Sequence, residues 1–141
     1  MADYTATIQS KGDDVFIGTN KHGNVVTIDT NSDRHSAPTP MELLLIAVGS
    51  CTAVDVVDIL RKKRQEVSDY KIELSGERRV EHPRSFSKIN VHHIVYGRNV
   101  SAQAVESAIK LSDEKYCSVA ATIRPTAVIT TSYEIIELLI H

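Results

Sequence analysis

The two cysteines, Cys51 and Cys117, are the residues whose type and setting most favour covalent chemistry. They are 66 positions apart in a chain without an evident export signal, which favours reduced thiols over a structural disulfide. A thiolate that attacks a peroxide oxygen becomes a sulfenic acid, and a second thiol can convert it to a disulfide. That chemistry needs an activated cysteine, a resolving cysteine within reach and, for an organic peroxide, an apolar pocket.

Each cysteine also has an ordinary structural explanation. Cys51 follows Gly49 inside an apolar run, and a glycine within a helix costs about 1 kcal/mol relative to alanine. We therefore expect either another backbone close to Gly49 or space kept beside the sulfur; the alternative is a small buried apolar side chain. Cys117 is predicted at the start of a short helix over residues 118–123, where free amides would favour its thiolate. The alternative explanation of Cys117 is a buried structural thiol.

A long helix must position Cys51. Residues 39–42 (TPME) form a predicted capping box, with Thr39 as N-cap, Pro40 in the first turn and Glu42 bonding back to the Thr39 amide. Four basic residues at 61–64 suit the negative end of the helix dipole. A helix from 40 to about 64 would be roughly 37 Å long. Because its residues are apolar on nearly every face, we expect a homodimer with this helix near the interface.

The remaining patterns predict an α+β chain with the order β-β-β-α-β-β-α-β, as a single domain over residues 1–141. Strands are predicted at residues 4–10, 14–18, 25–30, 70–80, 88–96 and 126–133, with a loop at 31–38. The strands at 70–80 and 88–96 are expected to pair as a hairpin. Ser101 is the predicted N-cap of a second helix whose apolar stripe contains Val105, Ala108, Ile109 and Tyr116.

Composition and charge exclude several classes of function. A net charge of −2 provides no general attraction to nucleic acid or to anionic membranes. The first residues contain no apolar segment behind a basic start, so a cytoplasmic setting is expected. The apolar run at 40–60 contains acidic residues and is interpreted as a buried helix, not a membrane span. We expect no metal site, because the six histidines, His141 among them, and the two cysteines lack ligand spacing.

The two cysteine segments resemble the OsmC/Ohr family. Residues 39–51 (TPMELLLIAVGSC) are similar to its helix signature, and residues 115–118 (KYCS) are similar to its second cysteine site. Residues 55–60 (DVVDIL) and 114–120 (EKYCSVA) look most like its YhfA-like branch. The resemblance implies an OsmC-like fold, an intertwined homodimer and reduction of hydroperoxides by an external thiol or lipoyl-type dithiol, with no other cofactor. It makes Cys51 the peroxidatic and Cys117 the resolving residue.

The residue that would activate Cys51 is left open. The family's glutamate position falls on Met41, whereas Glu42 is explained by the cap and is on the opposite helix face from Cys51. The family's arginine could correspond to Arg34, with Arg78 and Arg79 as alternatives that could equally be solvated. Asp55, four residues after Cys51, would disfavour the thiolate unless a cation offsets it or it orients a partner arginine.

Three functions remain open at this point. The first is a thiol-dependent peroxidase for organic hydroperoxides, and also hydrogen peroxide, in oxidative-stress defence. The second is a non-enzymatic dimer of the same fold that binds a small apolar ligand or senses redox state. The third is an interaction protein with inert thiols.

Overall fold

The computed structural model describes residues 2–139, so His141 lies outside the described part of the chain. Two compact units are present, Met1–Leu44 and Leu45–His141. Helices and two three-stranded sheets alternate in the order expected for the α+β class; the short helix predicted at residues 118–123 is present, and a π-helical turn that was not predicted precedes it. The predicted fold class is confirmed.

The first unit contains an antiparallel sheet of three strands, β1 (Ala6–Gly12), β2 (Val15–Asn20) and β3 (Val25–Asp29). These are the three strands predicted at the start of the chain, displaced by one or two residues. Gly12 and Gly23 adopt positive φ angles of 83° and 82° in the two connecting turns, a conformation that glycine adopts at little cost. Residues 31–38 contain neither helix nor strand, as predicted.

Helix α1 (Pro40–Lys62) begins at the predicted capping box. The Thr39 amide donates to Glu42 Oε1 at 2.9 Å, and the Glu42 amide donates to Thr39 Oγ1 at 3.2 Å. At 1.5 Å per residue the helix is roughly 35 Å long. It ends two residues before the predicted position, where Arg64 takes a left-handed conformation with φ 57° and the Gln65 amide donates to the Leu60 carbonyl.

A second sheet has the strand order β4-β5-β6, with β4 at Glu66–Arg78, β5 at Phe86–Arg98 and β6 at Val128–Glu137. Strands β4 and β5 form the predicted antiparallel hairpin, and β6 pairs with β5 in parallel. A parallel partner requires a crossover connection, which here consists of the helices between β5 and β6.

The crossover starts with α2 (Ala102–Leu111), whose predicted N-cap Ser101 accepts a hydrogen bond from the Ala104 amide. A π-helical turn, Ser112–Tyr116, follows, and then α3 (Ser118–Ile123). The prediction that Tyr116 continues the apolar stripe of α2 is wrong, because the π-turn changes the helical phase and leaves Tyr116 exposed.

The core of the second unit lies where α1, β5 and α2 meet. Its buried members are Val56, Leu60, Val95, Ala104, Val105, Ala108 and Ile109. The opposite side of α1 is open in this chain: Ile46 is 52% exposed and Val54 is 70% exposed.

By length and composition alone α1 could also cross a membrane, a test that the central helix of a soluble protein passes as well.

Candidate active site

Cys51, Asp55 and Cys117 come together in the second unit. Their two sulfur atoms and a carboxylate oxygen all lie within 4.8 Å of one another. Cys51 and Asp55 are half-buried, whereas Cys117 is buried, and both cysteines are free thiols. A disulfide needs sulfurs about 2.05 Å apart, so the two thiols are separate but near enough to join after a small movement.

Helical spacing brings Cys51 and Asp55 together. Residues four apart in a helix lie on the same face, so the thiol of Cys51 and the carboxylate of Asp55 are neighbours on α1. Gly49 has a different role from the one expected. A Cβ at this position would lie 2.5 Å from Leu74 Cδ1 of β4, so the glycine makes room for a leucine side chain. The expectation of a close backbone is wrong, because the three atoms nearest to that position all belong to the Leu74 side chain.

Cys117 is the N-cap of α3, which agrees with its predicted position at a helix boundary. Its sulfur accepts hydrogen bonds from the Ala120 amide at 3.4 Å and from the Thr52 hydroxyl at 3.5 Å. Burial nevertheless raises the pKa of the Cys117 thiol, more than those two donors lower it, and the contact with Cys51 raises it further. The amide at the start of α3 lowers the pKa of Cys117 as expected, but desolvation exceeds its effect, so the net shift favours the thiol over the thiolate.

Asp55 is oriented from the π-helical turn. Ser112, which is fully buried, donates its hydroxyl hydrogen to Asp55 Oδ2 at 2.9 Å. An ion pair of 2.7 Å between Arg124 and Asp113 joins the end of α3 to the same turn. Two contacts thus hold the segment that contains Cys117. Ser112 bonds it to α1, and the ion pair of Arg124 with Asp113 joins its two ends.

Arg34, the first candidate for an activating cation, is bonded within the first unit. Its guanidinium donates to Asp29 at 2.8 Å and to Asp13 at 2.7 Å. Arg34 and Ser36 together hold the pKa of the buried Asp29 carboxyl far below its usual range. Since these two carboxylates already account for the guanidinium, Arg34 has a structural explanation in the loop after β3.

The other predicted residues also have local partners. Arg78, at the end of β4, donates from Nε to the Arg84 carbonyl at 2.6 Å, and Arg79 is exposed beside the same turn. Glu42 is held in the capping box, where hydrogen bonds from Thr39 lower its pKa. Among residues 2–139, no hydrogen bond or ion pair joins a cationic side chain to the cysteine pair or to Asp55.

A surface groove of about 450 Å³ reaches the site from the side of Asp55. Apolar side chains of Ile59, Leu111 and Tyr116 form part of its wall, and Lys62 and Lys63 lie along it. Such a groove can accept a molecule with an apolar body and an anionic end.

Two residues of the site were missed by the sequence analysis. Thr52 and Ser112 supply the hydroxyls that contact Cys117 and Asp55. Thr52 directly follows Cys51, but its neighbour across the site is 65 positions away, and no sequence spacing indicates that contact.

The chain is similar to known proteins along most of its length. A family model described as OsmC-like protein matches residues 32–132. The Protein YhfA of Escherichia coli (strain K12) is 48% identical over 121 residues, which cover 86% of this chain and 90% of the relative. A hypothetical protein from Aquifex aeolicus VF5 superposes with a TM-score of 0.87 at 37% identity, covering 99% of this chain and 100% of the other.

A more distant solved structure shares the fold. It is the organic hydroperoxide resistance protein OsmC, described as a predicted redox protein, from Legionella pneumophila. The TM-score is 0.70 at 14% identity, and the match covers 95% of this chain and 99% of the other.

Proposed function

Because the chain belongs to the OsmC-like protein family, whose fold includes proteins described as organic hydroperoxide resistance proteins, we propose that it is a cytoplasmic thiol peroxidase that reduces organic hydroperoxides in oxidative-stress defence. One observation supports this proposal above all: a half-buried thiol and a buried thiol lie within 4.8 Å of each other.

The proposed roles follow from the environments of the two sulfurs. Burial and the contact with Cys51 raise the pKa of the Cys117 thiol, so we assign Cys117 the later, resolving step and assign the attack on peroxide to the more exposed Cys51. The Cys51 thiolate attacks one peroxide oxygen, the O–O bond breaks, and the alkoxide leaves and takes a proton to become an alcohol. Cys51 is then a sulfenic acid. Cys117, losing its proton, attacks the Cys51 sulfur and releases water, which leaves a disulfide.

The cycle closes by reduction with an external dithiol. Thiol–disulfide exchange with a small dithiol or a lipoyl-type reductant regenerates both thiols and oxidises the reductant to its own disulfide. No other cofactor enters the proposal. The groove beside Asp55, with its apolar wall and two lysines, favours an organic hydroperoxide with an anionic end over hydrogen peroxide.

The decisive measurement is peroxide consumption with dithiothreitol or dihydrolipoamide. Cys51→Ser should abolish turnover, and Cys117→Ser should allow one fast turnover and then stop unless a small thiol resolves the sulfenic acid. Ser50→Ala is the matched control, because the hydroxyl of this exposed neighbour of Cys51 bonds, among residues 2–139, only to the Ala47 carbonyl. A Cys51→Ser protein with the wild-type rate would refute the proposal.

We further propose that a second copy of the chain covers the open side of α1. Val54 is 70% exposed, beside a groove of about 500 Å³ formed by its neighbours on the helix. Val54→Glu should therefore shift the protein from dimer to monomer in light scattering after size-exclusion chromatography. Val80→Glu is the control, since Val80 is 90% exposed in the turn after β4. A monomeric wild type, or a dimeric Val54→Glu protein, would contradict this.

A non-enzymatic redox sensor is the second candidate. It is favoured by the lack, among residues 2–139, of a cationic side chain bonded to Cys51, since an activated thiolate normally has one. A sensor would form the Cys51–Cys117 disulfide once with peroxide but would not turn over with excess dithiol. The same peroxide assay therefore separates the two functions.

A further inference from the structure

The three side chains of the candidate active site are also a set of metal ligands. Two sulfurs and one carboxylate oxygen, from Cys51, Cys117 and Asp55, lie within 4.8 Å of one another. In a tetrahedral zinc site with bonds of about 2.0–2.3 Å, neighbouring ligand atoms are roughly 3.5–3.8 Å apart. A closing movement of about 1 Å would bring the three atoms to that spacing. We infer that these residues bind one thiophilic divalent cation of the Zn²⁺ class.

The surroundings of the ligands support this inference. Ser112 donates to Asp55 Oδ2 at 2.9 Å, and Thr52 donates to the sulfur of Cys117 at 3.5 Å. Metal-binding side chains are usually held by such outer hydrogen bonds, which fix their orientation before the metal arrives. In this site, a buried serine and a buried threonine perform that task for two of the three ligands.

The donor set selects the class of metal. Two thiolates exclude Mg²⁺ and Ca²⁺, which prefer oxygen ligands, and favour Zn²⁺ or the chemically similar Cd²⁺. Three protein ligands leave the fourth tetrahedral position open to water or to another molecule, as in catalytic zinc sites. No metal site is predicted from the sequence, because Cys51 and Cys117 lie 66 positions apart and form no recognisable ligand motif.

The charge of the three ligands and their access to solvent also suit a divalent cation. Once both thiols release their protons to a metal, the two thiolates and the Asp55 carboxylate together have three negative charges, and none of the described residues places a cationic side chain in bonding contact with them. A divalent cation would offset most of that charge. Cys51 and Asp55 are only half-buried, so a metal ion can reach them from solvent.

This site does not depend on the proposed peroxidase function, so its test uses binding and not turnover. The fully reduced protein would be titrated with Cd²⁺ and with Zn²⁺ without oxygen, with thiolate-to-cadmium absorption in the ultraviolet and calorimetry as the two readouts. We expect one metal ion per chain. Cys51→Ser and Cys117→Ser should each remove most of the ultraviolet band, and Asp55→Asn should weaken binding by at least about tenfold.

Two controls make the experiment specific. Asp58→Asn removes a carboxylate that is paired with Lys62 one turn further along α1, and it should leave the affinity unchanged. Protein oxidised to the Cys51–Cys117 disulfide should bind no metal and should recover binding after reduction. Far-ultraviolet circular dichroism establishes that each variant is folded; Asn at position 55 is the same size as Asp and can still accept the Ser112 hydrogen bond.

Three results would overturn the inference. They are no ultraviolet band in the reduced wild type, equal affinity in wild type and Cys117→Ser, and equal affinity in wild type and Asp55→Asn. A protein that binds cadmium as expected but reduces no peroxide would retain the metal site and refute the peroxidase. The opposite result would refute only the metal site.

Discussion

His93 should make the protein sensitive to acid. Its side chain, on β5, is completely buried, and its Nδ1 is hydrogen-bonded to the Tyr70 hydroxyl. Within the described residues, its Nε2 has no hydrogen-bond partner. Burial, with a smaller contribution from His92, lowers the pKa of His93 from 6.5 to about 4. The folded protein therefore keeps this ring neutral at pH values where the unfolded chain already binds a proton.

The magnitude follows from that pKa difference. Because the unfolded chain binds a proton at the pKa of 6.5 and the folded protein at about 4, stability is intact above about pH 6.5 and falls as the pH drops toward 4. The loss is about 2 kcal/mol between about pH 7.5 and pH 5, and about 3 kcal/mol once both states are protonated.

Urea unfolding followed by circular dichroism across this pH range measures the effect. His93→Gln cannot take up a proton and still offers an acceptor to Tyr70, so its free energy of unfolding should decrease about 2 kcal/mol less than that of wild type between pH 7.5 and 5. His92→Gln is the matched control, because His92 is partly exposed and pairs with Ser132 at 2.8 Å. If His93→Gln and wild type have parallel stability curves, the assignment of acid sensitivity to His93 is wrong.

Three further substitutions test the packing around the candidate active site. Gly49→Ala gains about 1 kcal/mol of helix propensity but clashes with Leu74, so it should destabilise the protein by up to about 2 kcal/mol in urea unfolding. The double variant with Leu74→Ala should lose less stability than the sum of the two single variants. A stabilised Gly49→Ala protein would contradict the contact. Thr52→Val removes a hydrogen-bond donor that lowers the pKa of Cys117, so the Cys51–Cys117 disulfide should form about fivefold more slowly after one equivalent of peroxide. Mass spectrometry of quenched samples times this step. An unchanged rate would exclude this role for Thr52. Arg34→Ala should lower the thermal midpoint because it removes the cation that is paired with the buried Asp29. It should leave peroxide consumption by the folded protein unchanged, whereas a large loss of turnover at full folding would show that Arg34 acts in the reaction.

Local signals in the sequence predicted the elements well. The capping box at Thr39 and the N-cap at Ser101 both form where the sequence places them, because a side-chain oxygen next to a helix start satisfies amides only a few residues away. The spacing between Cys51 and Asp55 likewise placed both on one face of α1. These interactions join residues only a few positions apart, so the spacing of the residues in the sequence is enough to predict them.

Contacts between distant elements could not be predicted in the same way. The π-helical turn before Cys117 shifts the helical phase, so neither the exposure of Tyr116 nor the bond from Ser112 to Asp55 follows from a regular period. The environment of Cys117 was misjudged because burial by other elements, which the local sequence does not reveal, outweighs the amides of α3. For Asp55 and for Cys117 the decisive neighbours lie far away in the chain, and for Tyr116 the cause is a local departure from the regular helical period.

The peroxidase and the metal site use the same sulfurs, and this makes their relationship testable. A thiolate that is bound to zinc has shared the electron pair with which it would attack a peroxide, so a bound metal should protect Cys51 from oxidation. If both proposals hold, free Zn²⁺ should inhibit the single peroxide turnover of the reduced protein, measured without dithiol, with a midpoint equal to its measured dissociation constant, and Asp55→Asn should shift both quantities by the same factor. Mg²⁺ at the same concentrations should have no effect. Full turnover at saturating Zn²⁺ would mean that the metal and the peroxide do not share Cys51, and at least one of the two assignments of this thiol would then be wrong.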